Sequence, residues 1–138
     1  MSPYAPKTVV PVERTRAEIE RLLTQKYGAK AFVYAVRADF TRIEFEMNGR
    51  RIRFQMPLPQ EKDFYSKREF EQALRTKWRC LLLTIKGKLE SVENEIETFD
   101  DAFLPQIVLP SNETLGEWAR PQIVEIYQLG QMPPLLTA

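Results

Sequence analysis

Residues 41–56 read TRIEFEMNGRRIRFQM, and the way this stretch is parsed decides the fold. Asn48-Gly49 is a dipeptide that readily takes two consecutive left-handed conformations, which a two-residue hairpin turn requires. Centring the turn there fixes the register of strands over 41–47 and 50–56. Phe45 then lies opposite Ile52 and Ile43 opposite Phe54, all on one face. Glu44 lies opposite Arg53 and Glu46 opposite Arg51 on the other. The first face is built for a core. The second carries complementary cross-strand charge pairs, each contributing about 0.2–1 kcal/mol, so they specify register more than they stabilise.

Upstream, residues 31–37 (AFVYAVR) are rich in branched and aromatic side chains that suit a third strand. Before it, Thr15 and Glu18 have the spacing of a capping box, and Ile19, Leu22 and Leu23 form an apolar stripe ahead of Gly28. This pattern predicts a helix over 16–27. Residues 1–11 hold three prolines and no periodicity, and read as an extended arm.

Downstream, 57–65 (PLPQEKDFY) reads as a loop, and Ser66 with Glu69 forms a second capping box. Phe70, Leu74, Trp78, Leu81, Ile85, Leu89 and Val92 then repeat at three and four, which predicts a long helix fraying near 91–94. Gly87 inside it costs about 1 kcal/mol relative to Ala, so a close packing contact is expected there. Thr98 is placed to cap a short turn over 99–104. Thr114 with Glu117 is a third box, opening a helix that carries Leu115, Trp118, Ala119, Gln122, Ile123 and Ile126 and stops at Gly130. Pro121 is expected either to kink this helix or to begin another. Trp78 and Trp118 both sit on apolar stripes and read as core. Cys80 reads as an inert, partly buried thiol. The predicted fold is α+β: one domain over 1–138 with a three-stranded antiparallel sheet packed against helices. Within it, 12–97 holds the sheet and long helix, 98–130 a small helical C-terminal part, and 131–138 a tail.

The 138 residues, 43% apolar and 28% charged, suit one soluble domain with a real core. There is no histidine and one cysteine. Ser-His-Asp and Cys-His catalysis are therefore impossible within the chain, a zinc site lacks its usual donors, and no internal disulfide can form. The five glycines are too scattered for a phosphate-cradling loop. Residues 1–12 contain no long apolar run, so neither a signal peptide nor a membrane span is expected. No catalytic residue, cofactor or metal is expected, and the acidic pairs Asp100-Asp101 and Glu93/Glu95/Glu97 read as a solvated face.

The net charge of +1 conceals a division. Residues 1–90 carry 19 basic and 11 acidic side chains, a balance of +8, whereas 91–138 carry 1 and 8, a balance of −7. Either the two parts dock on each other or are simply solvated faces, or a basic face with Arg42, Arg50, Arg51 and Arg53 meets phosphates or an acidic protein surface. Phe32, Tyr34, Phe45 and Phe54 interleave with the arginines, but Phe45 and Phe54 fall on the core face, which weakens a base-stacking site. The tail segment Met132-Pro133-Pro134-Leu135-Leu136 either packs back on its own domain or docks into a partner groove.

Four strings, VERTRAEIERLLTQKYGA (12–29), MNGRRIRFQMPLP (47–59), KWRCLLLTIKGKLESVENEIETFDDAFLPQIVLP (77–110) and GEWARPQIVEIYQLGQMPPLL (116–136), resemble a family of small proteins encoded mainly by tailed bacteriophages. The likeness spans nearly the whole chain, and it implies a phage origin and residence in the host cytoplasm. Relatives often carry a longer insertion where this chain has the short loop 57–66. In size and general character the chain is also similar to a regulator made by phages of thermophilic hosts, which binds host RNA polymerase near its flap and sigma factor. That similarity implies a non-enzymatic protein regulating transcription, with host RNA polymerase as first candidate partner. It transfers no site residues. The candidate contacts are Arg42, Arg50, Arg51, Arg53 and Met132, Pro133, Pro134, Leu135 and Leu136. The alternative is a nucleic-acid-binding module using the arginine face.

Overall fold

The computed structural model describes residues 8–130. The tail candidates Met132 to Leu136 lie outside the described residues. The hairpin forms in the expected register: β2 (Phe40–Met47) and β3 (Arg50–Pro57) are antiparallel, with Phe45 opposite Ile52 and Glu44 opposite Arg53. Asn48 and Gly49 have φ of 53° and 70°, the left-handed pair this turn demands. β1 (Ala31–Val36) pairs antiparallel with β2, giving the order β1-β2-β3. The molecule is α+β.

The first helix departs from the reading of its cap. α1 (Val12–Arg21) starts behind Pro11, and Thr15 is buried inside it, its hydroxyl without a hydrogen-bond partner among the described residues. The apolar stripe begins at Val12, so Thr15 falls on the core face, where its methyl fills space and its oxygen caps nothing. The helix runs on as a π-helical turn, Leu22–Lys26, and Gly28 at φ 72° lets the chain reverse into β1. α2 (Lys67–Glu93) begins as predicted, with the Ser66 hydroxyl accepting from the Glu69 N–H at 3.1 Å. Its Trp78, Leu81, Leu82, Ile85 and Leu89 are buried.

Ile19 of α1, Leu23 of the π-helical turn, the α2 stripe, and Ile43, Phe45 and Ile52 of the sheet form one core. The short α3 (Phe99–Ala102), capped by Thr98 as expected, adds Phe99 and Ala102 to it. Phe103 follows, fully buried, edge-on to Phe45 and Phe54 with centroids 6.0 and 6.3 Å away. From there a 3-10 turn, Leu104–Gln106, leads to Ile107 and Val108 alongside β3, where the Val108 N–H donates to the Arg51 carbonyl at 2.8 Å. α4 (Leu115–Leu129) then opens on the complete Thr114/Glu117 capping box.

Three further readings are corrected. A Cβ on Gly87 would meet nothing within 4 Å, because that turn of α2 faces solvent rather than a neighbour. Cys80 is exposed, one position off the buried stripe. Trp118 is not core but 49% exposed, because α4 leaves the body of the domain at that point. Pro121 lies inside α4, which continues through it. Among the described residues no helix is long and apolar enough to cross a membrane.

Candidate protein-binding surface

The arginine face of the hairpin is held by its own neighbours. Arg53 is buried, and its guanidinium donates to Glu44 Oε2 at 2.8 Å, to the Asn112 carbonyl at 2.8 Å and to Asn112 Oδ1 at 2.9 Å. Arg51 donates to Glu44 Oε1 at 2.9 Å and to Asn112 Oδ1 at 3.1 Å. Its bond is therefore diagonal, to Glu44, although Glu46 stands opposite it in the register. The reason is Asn112, which sits at φ 74° where the chain folds back over the β3 edge and draws both guanidinium groups toward Glu44. Arg42 donates two hydrogen bonds to Gln55 Oε1, at 3.0 and 2.7 Å. Arg50 grips Asp100 at 3.2 and 3.1 Å.

Glu44 shows the balance of forces. Its partial burial alone would raise its pKa, but hydrogen bonds from Arg51 and Arg53 and their positive charges outweigh burial and hold the carboxyl below its ordinary value. Glu117 is also held low, first by the hydrogen bonds it shares with the Thr114 backbone and side chain, with Arg53 and Arg42 adding smaller charge effects. The basic and acidic parts of the chain thus meet at a few points, Arg50–Asp100 at 3.1 Å and the longer Arg53–Glu117 contact at 3.9 Å. Glu95 and Asp101 of the acidic run remain exposed, so neutralisation is partial.

α4 is arranged in the opposite way. Gly116 sits in its first turn, where a Cβ would stand 3.0 Å from the Pro105 carbonyl oxygen, so any larger residue would press the neighbouring backbone apart by a few tenths of an ångström. From Arg120 to Gly130 every residue is exposed. Ile123, Val124, Ile126, Tyr127 and Leu129 are between 52% and 80% accessible. Such side chains would each gain about 1.5–3 kcal/mol on full burial, and a helix this apolar is ordinarily covered. The sequence periodicity had marked the stripe; it carried no information on what the stripe packs against.

Cationic side chains that the sequence reading did not single out line the groove between α1 and α2. Arg21, Lys26 and Lys86 stand there beside Arg79, which donates to Glu18 at 3.0 Å. Their positions on two different helices hide the cluster from any short motif. Among the described residues no group of three or more Cys, Asp or Glu is placed to hold a metal ion. No protein-family model, curated protein or solved structure matches the chain.

Proposed function

We propose that the protein is a non-enzymatic binding module whose partner is another protein, anchored by the apolar surface of α4. The observation carrying this reading is the helical run from Arg120 to Leu129, exposed at every residue and rich in branched and aromatic side chains. A helix laid into an apolar groove is a common mode of protein recognition, and its anchors recur at three and four. Trp118, Ile126 and Leu129 share one face of the helix, and Ile123 and Tyr127 extend the apolar surface to one side of it. The surrounding charges steer and orient. Given the resemblance to phage proteins, the first partner to test is host RNA polymerase, in the host cytoplasm, with transcription regulation as the outcome. Pull-down from host lysate at low salt should recover polymerase subunits with the parent and lose them with Ile126→Asp. Recovery of no subunits would remove that partner.

Nucleic-acid binding is the second reading, and the α1–α2 groove favours it more than the hairpin does, because Arg21, Lys26 and Lys86 have no acidic partner among the described residues. A mobility-shift titration separates the two. Phosphate binding in the groove should weaken steeply with salt and with Lys26→Ala and Lys86→Ala, and respond less to Arg42→Ala.

A further inference from the structure

The two edges of the sheet are treated differently. At β3, Ile107 and Val108 lie alongside the strand and the Val108 N–H satisfies the Arg51 carbonyl. At β1 no described segment does the same. The hydrogen-bonding parity shows which groups this leaves free. Because the Arg51 carbonyl points outward from β3, its opposite number Glu46 points toward β1, and the Lys30 N–H indeed donates to the Glu46 carbonyl at 2.9 Å. Ala31, Val33 and Ala35, paired with Glu46, Glu44 and Arg42, therefore spend their backbone groups on β2. Phe32, Tyr34 and Val36 turn theirs outward, and none has a hydrogen-bond partner among the described residues.

Edge strands are ordinarily blunted by Lys, Pro, a bulge or a covering loop. β1 reads AFVYAV, six uncharged residues without proline, in unbroken register with β2. Val33, Tyr34 and Val36 are 63%, 43% and 53% accessible.

We infer that β1 pairs antiparallel with β1 of a second copy, joining two sheets into one of six strands about a two-fold axis at Tyr34. In this register Phe32 faces the second copy's Val36, Tyr34 faces Tyr34, and all three outward residues exchange their free N–H and C=O groups. Antiparallel pairing is the favoured direction, because each outward residue then exchanges both backbone groups with a single residue opposite. Lys30 precedes β1 and Arg37 and Asp39 follow it, all exposed with no ion pair among the described residues. Antiparallel pairing brings each Lys30 near both Arg37 and Asp39 of the second copy, whereas parallel pairing would set like on like: Lys30 on Lys30, Arg37 on Arg37 and Asp39 on Asp39. The strand is thus self-complementary in backbone and side chain, which an isologous interface requires. The dimer displays two α4 helices, so a partner with two sites would be held with the gain of a bivalent attachment.

Sedimentation equilibrium across a concentration series tests the pairing. The parent mass should climb from 16.2 kDa toward twice that value. Tyr34→Pro removes an N–H that has no partner in the monomer, so it should leave the circular dichroism spectrum unchanged and keep the mass at the monomer value. Val33→Lys should do the same as an edge blocker. A parent monomeric at every concentration overturns the inference. So does a dimer indifferent to Tyr34→Pro and Val33→Lys but abolished by Ile126→Asp, which would place the interface on α4.

Discussion

The hairpin's charged face and the outer ten residues of α4 are opposite solutions to the same problem. On the hairpin, Arg42, Arg50, Arg51 and Arg53 each find an acceptor within the chain, and Arg53 is buried because the segment carrying Asn112 folds over it. On α4, Ile123, Val124, Ile126, Tyr127 and Leu129 stay largely exposed among the described residues. The charged region, which looks like a binding site in the sequence, is taken up by contacts within the fold. The apolar region, which looks like core, is left exposed. Desolvated charge is costly unless paired, so a buried arginine forces the fold to supply acceptors. Exposed apolar area costs little until another surface can remove it from water.

The sharpest way to break this contrast is Arg53→Ala. It leaves Glu44 and the Asn112 carbonyl without their buried donor, and should lower the unfolding free energy by about 3 kcal/mol in urea titration. A loss below about 1 kcal/mol would mean that the arginine is not structural. Glu44→Gln should cost less, about 1–2 kcal/mol at neutral pH, the loss of charge from hydrogen bonds to two guanidinium groups. Its pH dependence carries the sign. Glu44 has a folded pKa below its ordinary 4.5, so its contribution is complete above that value and is lost as pH falls through the folded pKa. The difference between parent and variant should therefore shrink on acidification from pH 5 downward. Thr114→Ala removes the hydroxyl that caps α4 and should cost about 1 kcal/mol, seen as earlier thermal loss of helix. Ile126→Asp should change folding least, within about 0.5 kcal/mol, because that side chain is 64% exposed.

Much of the fold was legible. Asn48-Gly49 set the hairpin register, the Ser66 and Thr114 caps marked two helix starts, and the 3.6-residue repeat of α2 marked its buried face. These signals are local: turn geometry, capping and periodicity act over a few residues. What failed was long-range. Thr15 has the spacing of a cap and the burial of a core residue, and only the position of Val12 against the sheet decides between them. Trp118 lies on a stripe whose period guarantees an apolar face but not a neighbour. The arginine cluster was visible; the acceptors that complete its pairing include Asp100 and Asn112, the latter some 59 residues away from Arg53. The cationic groove needed α1 and α2 side by side before Arg21, Lys26 and Lys86 could be seen together.

The central claim is a division of labour, with folding assigned to the hairpin charges and association to α4. A binding titration against purified host RNA polymerase tests it most directly, comparing the parent with Ile126→Asp and Arg51→Ala under one salt condition. Loss of binding with Ile126→Asp and near-parent affinity with Arg51→Ala is the result predicted. Parent-like binding by Ile126→Asp together with loss on Arg51→Ala would contradict it.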